Sequence, residues 1–262
     1  MSTKKDKFTS KDKQFMQIAL NLAIAREGLT GTNPSVGCVI VKDNKIISIG
    51  QTSFNGRPHA ELNAIKDSIE NVAGSKMYVT LEPCCHKGKT PPCTNLIIKS
   101  KISEVIYSIS DIDERVSGKS FKVLKSSKIK VRNNLFKKDI SRFYYPYFFN
   151  RKNKIPFVTG KIAVSKNNLI YSKEKQKITN IYSDKFSHFL RYKNDTILIS
   201  HKTLNKDNPK LNCRLKSKNN FSPIRVILDN KLNSNPNSYL IKSATKIKTI
   251  IFLRKTPIGL IL

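Results

Sequence analysis

The stretch Pro83–Cys93 reads Pro-Cys-Cys-His-Lys-Gly-Lys-Thr-Pro-Pro-Cys, and 24 residues separate its first cysteine, Cys84, from the His59 of a His-Ala-Glu motif. The imidazole of His59 and the thiolates of Cys84 and Cys93 supply three ligands to Zn²⁺, which leaves the fourth tetrahedral position open to water. The pattern therefore predicts a catalytic zinc site. A purely structural zinc site is the alternative, and its candidate fourth ligands are Cys85 and His86.

Glu61, two positions after His59, is the candidate acid–base group of this site. Zinc lowers the pKa of a bound water, and a carboxylate beside it can take a proton and deliver it to a departing amine as hydroxide attacks an amidine carbon. Residues two apart do not share a face within a helix. His59 and Glu61 are therefore expected at a helix start, which Pro58 favours, and a second helix should begin near Cys93.

The composition favours a folded enzyme. The 262 residues carry 49 Lys+Arg and 18 Asp+Glu, a formal charge of +31, and 39% are hydrophobic. Apolar runs are far shorter than the ~20 residues of a membrane helix, and the first residues do not form a secretory signal, so we expect a cytoplasmic protein without a membrane partner. The basic residues are spread along the chain, which argues against nucleic acid as the main partner and suits a phosphorylated small substrate.

Periodicity predicts the elements of the first half. A capping box at Thr9–Asp12 opens an amphipathic helix that ends near Gly28. The remaining predicted elements are strands at 36–42 and 45–49 joined by an Asp43-Asn44 turn, a helix at 59–69, a strand at 76–81, a helix at 94–100 and a strand at 104–108. The order β-β-α-β-α-β predicts an α/β sandwich around a mixed sheet.

An aromatic cluster at 143–149 is interpreted as packing at a domain junction, rather than as a platform for stacking bases. It divides the chain into a first domain at 1–145 and a second at 146–262. The second domain is predicted to be another α/β unit. Its predicted strands lie at 156–164, 196–200, 223–228 and 248–253, and its predicted helix lies at 183–193.

The spacing of eight residues between Cys84 and Cys93, with the insert between them, resembles the bifunctional riboflavin biosynthesis deaminase/reductase family of the cytidine deaminase superfamily. Thr32–Gly37 is similar to that family's Asn-Pro-x-Val-Gly segment. The resemblance implies a cytidine-deaminase-like three-layer sandwich and a phosphorylated pyrimidine substrate that contacts Asn33 and Lys89. Thr52 departs from the family, which often has a pocket histidine there, and this leaves one substrate contact open.

The second half resembles the family's reductase module, a dihydrofolate-reductase-like α/β domain that uses NADPH. Similar segments are Lys161–Ser165, His188–Arg191 and Thr203–Leu211 followed by Arg214. The resemblance implies cofactor contacts at Ala163, Thr203 and Asp207. It implies substrate contacts at Arg191, Leu211 and Arg214. Two guanidinium groups suit a phosphate, although surface charge in a Lys-rich chain is the alternative for each of them.

The resemblance implies that the chain deaminates 2,5-diamino-6-(5-phosphoribosylamino)pyrimidin-4(3H)-one to 5-amino-6-(5-phosphoribosylamino)uracil. The reductase module, which would convert the ribosyl to a ribityl group, is expected to be truncated and incomplete, because only Gly160 and Gly259 follow Gly118 and a phosphate cradle needs a glycine-rich loop. A homo-oligomer is expected from the family. The alternative function is an RNA deaminase or RNA-binding protein on the same fold, which the charge of +31 suggests.

Overall fold

The computed structural model describes residues 8–88, 90–170, 178–216, 221–253 and 260–261. The chain divides into two compact units, Met1–Thr159 (unit 1) and Gly160–Leu262 (unit 2). The predicted boundary after residue 145 lies inside a helix that continues to Asn153. Among the described residues, none of the helices has the length and apolar character that a bilayer crossing requires.

Within its described residues, unit 1 contains five α-helices and five strands. The helices are α1 (Ser10–Arg26), α2 (Ala60–Lys66), α3 (Cys93–Lys99), α4 (Lys119–Ser126) and α5 (Lys137–Asn153), and a short 3₁₀ helix covers Phe54–Gly56. The strands are β1 (Gly37–Lys42), β2 (Lys45–Gln51), β3 (Lys76–Leu81), β4 (Glu104–Ile109) and β5 (Lys130–Asn133). They form one sheet in the order β2-β1-β3-β4-β5. Because β1 is antiparallel to β2 and β3 while β3, β4 and β5 are parallel, the sheet is mixed, as predicted.

The predicted hairpin joins β1 to β2. Its two turn residues, Asp43 and Asn44, have φ angles of 48° and 60°. Asp and Asn tolerate this left-handed region better than most residues, and two such residues in sequence match the twist of an antiparallel pair. The turn places Lys42 opposite Lys45 and Val41 opposite Ile46, and an irregularity between Ile40 and Val41 shifts the register of the rest of the pair.

Helices cover both faces of this sheet. Nearly every residue of β1, β3 and β4 is buried, which requires a layer on each side and confirms the three-layer α/β sandwich. On one side Tyr78 of β3 packs on Phe15 of α1, with ring centroids 5.3 Å apart. On the same side the Thr80 hydroxyl lies 2.7 Å from the Tyr144 hydroxyl of α5. The Tyr144 hydroxyl also donates a hydrogen bond to the Ser35 carbonyl at 2.7 Å. The aromatic cluster thus packs α5 onto the sheet.

A buried polar network attaches α1 to the sheet through Asp12. Tyr78 donates to one Asp12 oxygen at 2.6 Å, and the two terminal nitrogens of Arg132 donate to the carboxylate at 3.1 and 3.2 Å. Burial by itself raises the pKa of Asp12, but the hydrogen bonds from Arg132, Tyr78 and Thr9 outweigh burial and hold the pKa well below its usual range. The ionised carboxylate is therefore the form that the folded protein stabilises.

The pH dependence of stability follows from the direction of this shift. A carboxyl group whose pKa is lower in the folded than in the unfolded chain contributes stability above its unfolded pKa, and that stability is lost as the pH falls. We expect Asp12→Asn to lower the free energy of unfolding near neutral pH by about 2 kcal/mol and to flatten its dependence on pH below about 5. Urea unfolding across this pH range measures both effects. Asp67→Asn, at an exposed carboxylate, is the control, and equal pH slopes in all three proteins would contradict the assignment.

Unit 2 is a smaller α/β unit with a four-stranded sheet. Its helices are α6 (Ile181–Lys193), α7 (His201–Asp207) and α8 (Tyr239–Lys242), and its strands are β6 (Thr196–Ser200), β7 (Ile224–Leu228), β8 (Thr249–Phe252) and β9 (Leu260–Ile261). The strand order is β6-β7-β8-β9, with the first three parallel and β9 antiparallel to β8. The buried core of this unit consists of Leu204, Leu211, Ile227, Leu240 and Ile251.

The strand predicted at 156–164 is wrong. These residues form no regular element, and Val158 and Ile162 are 79% and 72% exposed. The segment is rich in apolar and β-branched residues, but a strand also needs a hydrogen-bonded neighbour, and no described strand pairs with this segment. Composition alone therefore predicted an element that the packing does not support.

Candidate metal centre

Two helix starts and one loop bring His59, Cys84 and Cys93 together. His59 is the N-cap of α2 and Cys93 is the first residue of α3, which confirms both predicted helix starts. Cys84 lies in the loop that follows β3. The His59 Nδ1 atom is 3.7 Å from the Cys84 Sγ and 3.4 Å from the Cys93 Sγ, and the three ligand atoms all lie within 4.8 Å of one another.

The electrostatics of this cluster suit a divalent cation. A hydrogen bond from Cys93 and another from His59 lower the pKa of Cys84 to about 4, although burial opposes them. The Cys93 thiol is the proton donor to Cys84, so its own pKa is raised. The two shifts favour a thiolate at Cys84, which is the form in which a cysteine binds a metal. One imidazole and two sulfur atoms at this separation fit Zn²⁺, which prefers such ligands in tetrahedral sites.

The carboxylate of Glu61 lies beside the sulfur atoms. Glu61 is the second residue of α2, is only 4% exposed, and faces the same cavity as His59 and Cys84. Burial raises its pKa, and the nearby imidazole of His59 opposes this rise. Gly50 in β2 permits the approach of α2, because a Cβ at this position would lie 2.2 Å from the Ala60 carbonyl oxygen.

A cavity of about 130 Å³ opens above the cluster, and Asn33 and Thr52 contribute to its wall. The Asn33 amide donates to the Gly56 carbonyl at 3.0 Å. Gly56 has a φ of +86°, and a Cβ there would lie 2.5 Å from the Asn33 Nδ2, so glycine is required beneath Asn33. The Thr52 hydroxyl accepts from the Val36 N–H at 2.9 Å and faces the Pro34 carbonyl at 3.2 Å. The Thr52 hydroxyl is therefore hydrogen-bonded to backbone groups of the cavity wall.

The sequence reasoning missed several residues that line the cavity, and the predicted Lys89 lies outside the described residues. The missed residues are Arg57, Glu82, Asp111, Asp113, Arg115, Tyr147 and Arg151. Those at 111–115 follow β4, which is parallel to β3, so the loops after the two strands meet at one edge of the sheet. The loop directly follows the strand predicted at 104–108, and this position is the signal that could have located it. Tyr147 and Arg151 come from α5, whose place against the sheet is not evident from local pattern.

Unit 2 brings three of the predicted substrate residues into one region. Arg191 on α6 donates to the Asn212 carbonyl at 3.1 Å, and Arg214 donates to the Asn212 side chain at 2.9 Å. Leu211, the third predicted substrate contact, precedes Asn212 and is buried. Burial and the positive charge of Arg214 lower the pKa of Arg191. Two close guanidinium groups form a site where an anion would be stabilised.

The three predicted cofactor residues do not lie on one structural element. Thr203 and Asp207 both belong to α7 and are four residues apart, so they share one face of that helix. The Thr203 N–H binds the capping Ser200 hydroxyl at 3.3 Å, and Asp207 is exposed. Ala163 lies in a segment without regular structure. The described residues of unit 2 include one glycine, Gly160, and no glycine-lined cradle for a pyrophosphate.

Two protein families match the chain. Residues 9–109 match the cytidine and deoxycytidylate deaminase zinc-binding region. Residues 160–257 match the RibD C-terminal domain. The first match includes the two helix starts and the loop that hold the sulfur and nitrogen atoms of the cluster. The second covers nearly all of unit 2.

Relatives with established names span both matches. The riboflavin biosynthesis protein RibD of Aquifex aeolicus is 34% identical over 246 residues, which cover 93% of this chain and 68% of that protein. RibD of Actinobacillus pleuropneumoniae is 34% identical over 93% of this chain and 65% of its own length. The chain thus spans about two thirds of the length of these relatives.

Solved structures agree with the sequence matches. The diaminohydroxyphosphoribosylaminopyrimidine deaminase/5-amino-6-(5-phosphoribosylamino)uracil reductase of Thermotoga maritima superimposes with a TM-score of 0.86 at 33% identity, covering 94% of this chain and 71% of that chain. RibD of Acinetobacter baumannii superimposes with a TM-score of 0.81 at 29% identity, covering 94% of this chain and 70% of its own.

Proposed function

The chain belongs to the RibD family of riboflavin biosynthesis proteins, and from this we propose that unit 1 is a zinc-dependent deaminase acting on 2,5-diamino-6-(5-phosphoribosylamino)pyrimidin-4(3H)-one. The observation that carries the proposal is the cluster of His59, Cys84 and Cys93 at a cavity that also receives the buried carboxylate of Glu61. The three zinc ligands and the carboxylate together are the smallest set of groups that zinc-dependent hydrolytic deamination requires.

Each residue of the site has a separate task. His59, Cys84 and Cys93 would hold the zinc ion, which when bound supplies a hydroxide nucleophile near neutral pH. Glu61 is placed to take the two protons of the attacking water in turn and to deliver one to the ring nitrogen and the other to the departing amine. The Asn33 amide nitrogen is fixed by the Gly56 carbonyl. Its amide oxygen makes no hydrogen bond within the described ranges, and we propose that it accepts from an amino group of the pyrimidine.

For unit 2 the proposal extends to NADPH and to the reductase half of the family, which the match to the RibD C-terminal domain supports. Arg191, Leu211 and Arg214 are the proposed substrate contacts, and the arginine pair fits a phosphate. Ala163, Thr203 and Asp207 are the proposed cofactor contacts. The described residues of unit 2 show no glycine-lined cradle for the cofactor pyrophosphate.

Incubation of the purified chain with the diaminopyrimidine phosphate, with and without NADPH, tests both halves of the proposal. We expect release of one ammonia per substrate that does not depend on NADPH. Oxidation of NADPH that begins only after deamination would support an active second unit. Absence of ammonia release from a zinc-loaded protein would refute the deaminase proposal.

The polynucleotide alternative has less support. The matched relatives named above are riboflavin biosynthesis proteins, so an RNA substrate rests on the charge of +31 alone. Binding to RNA that weakens steeply with salt would favour this alternative. The cytoplasmic location and the homo-oligomer stay predictions.

A further inference from the structure

Three arginines line the cavity of unit 1, and two of them are engaged by other groups. The guanidinium of Arg115 donates to both oxygens of Asp113, with its Nε at 2.9 and 3.2 Å from them. Arg151 donates to the Thr32 carbonyl at 2.7 Å and lies over the ring of Tyr147, 5.3 Å from the centroid. Arg115 is therefore paired with a carboxylate, whereas Arg151 is held by a main-chain carbonyl and an aromatic ring of α5.

The third arginine, Arg57, lies against His59 of the ligand cluster. One of its terminal nitrogens donates to the Thr90 hydroxyl at 2.9 Å and lies 3.5 Å from the His59 Nε2. In the part of the chain that the structure describes, no carboxylate forms an ion pair with Arg57. Its other terminal nitrogen faces Gly88, where an added Cβ would be in van der Waals contact with it at 3.8 Å. Arg57 thus presents an unneutralised, half-buried cation to the cavity.

The position of this cation relative to the metal ligands defines what it can bind. His59 turns its Nδ1 to the two cysteines and its Nε2 to Arg57. The imidazole ring of His59 therefore lies between Arg57 and the sulfur atoms. Arg57 is too far from the metal site to contact the reacting carbon of a substrate, but it is suitably placed for an arm that extends from the substrate ring. Thr52 adds no donor at this point, because its hydroxyl is bound to the backbone.

We propose that Arg57 binds the phosphate of the substrate's ribosyl arm and makes unit 1 selective for phosphorylated over unphosphorylated pyrimidines. A guanidinium fork matches phosphate oxygens, and a cation without an acidic partner gives up no existing ion pair when it binds one. The inference deepens the proposed deaminase function and rests on it.

Steady-state ammonia release on two substrates tests this selectivity. For Arg57→Gln we expect KM for the phosphorylated pyrimidine to rise about 10- to 100-fold, with kcat within about threefold. For the dephosphorylated pyrimidine, kcat and KM of the same variant should equal those of the wild type. Arg142→Gln, which removes an equal charge from an exposed position of α5, should leave kcat and KM for both substrates unchanged. Equal losses on both substrates, or no loss on either, would overturn the proposal.

A direct binding measurement separates this inference from the deaminase proposal. If the wild type releases no ammonia from either pyrimidine, the proposed function fails and Arg57 is tested by calorimetric titration with ribose 5-phosphate. The titration uses the full chain carrying Arg191→Gln and Arg214→Gln, so that the predicted phosphate contacts of unit 2 do not contribute. Adding Arg57→Gln should weaken binding at least about tenfold. An equal Kd, or no binding by either protein, would overturn the role of Arg57.

Discussion

Glu61→Gln should retain zinc and lose turnover. Glutamine keeps the size of the side chain and its hydrogen-bonding capacity, but it cannot accept the proton that the attacking water releases. General acid–base catalysis contributes about 10²- to 10⁴-fold, so we expect kcat for ammonia release to fall by about that factor. The effect should lie in kcat, because the group is placed beside the reacting atoms.

Two controls make this result specific. Glu70→Gln changes an exposed glutamate on the same unit and should leave turnover and zinc content as they are. Zinc stoichiometry of the Glu61→Gln protein should match that of the wild type, since a carboxylate outside the ligand set is not needed to hold the ion. Turnover near the wild-type rate in Glu61→Gln would refute its role in proton transfer.

The second large effect is expected from Cys84→Ser. Cys84 is one of the two sulfur ligands, and the hydrogen bond from Cys93 lowers the pKa of its thiol to about 4, which favours the thiolate that binds a metal. Loss of residues that only orient ligands costs about 10- to 100-fold in metal affinity, so loss of a ligand should cost more than about 100-fold. Zinc content after dialysis and ammonia release should therefore fall together.

The neighbouring cysteine offers a closely matched control. Cys85 follows Cys84 directly, but its thiol points to the Arg115 carbonyl at 3.3 Å and lies outside the ligand cluster. Cys85→Ser should keep both zinc and activity. Stoichiometric zinc in Cys84→Ser, or its loss from Cys85→Ser, would contradict the assignment.

Much of the site could be predicted because its chemistry is local in sequence. His59 and Cys93 each open a helix, and proline precedes both, so the chain direction at the two ligands follows from short-range rules. Asp43 and Asn44 similarly specify their own turn. The mixed character of the sheet in unit 1 could likewise be predicted from the order of its strands and helices.

The remainder depends on contacts between distant segments. Arg57, Arg115 and Arg151 carry no local signal that separates them from other basic residues, and only the cavity shows which of them has an acidic partner. The opposite error occurred at 156–164, where a strand-like pattern meets no partner strand. Local pattern therefore predicted which three residues come together and missed much of the cavity wall, because the wall is assembled by the packing of α5 and the loop after β4.

X-ray absorption at the zinc edge of the purified wild-type protein tests the ligand set most directly. Ligation by His59, Cys84 and Cys93 predicts a first shell with two sulfur atoms at about 2.3 Å and two nitrogen or oxygen atoms at about 2.0 Å. A shell of four sulfur atoms, a shell without sulfur, or a folded protein that binds no zinc would contradict it.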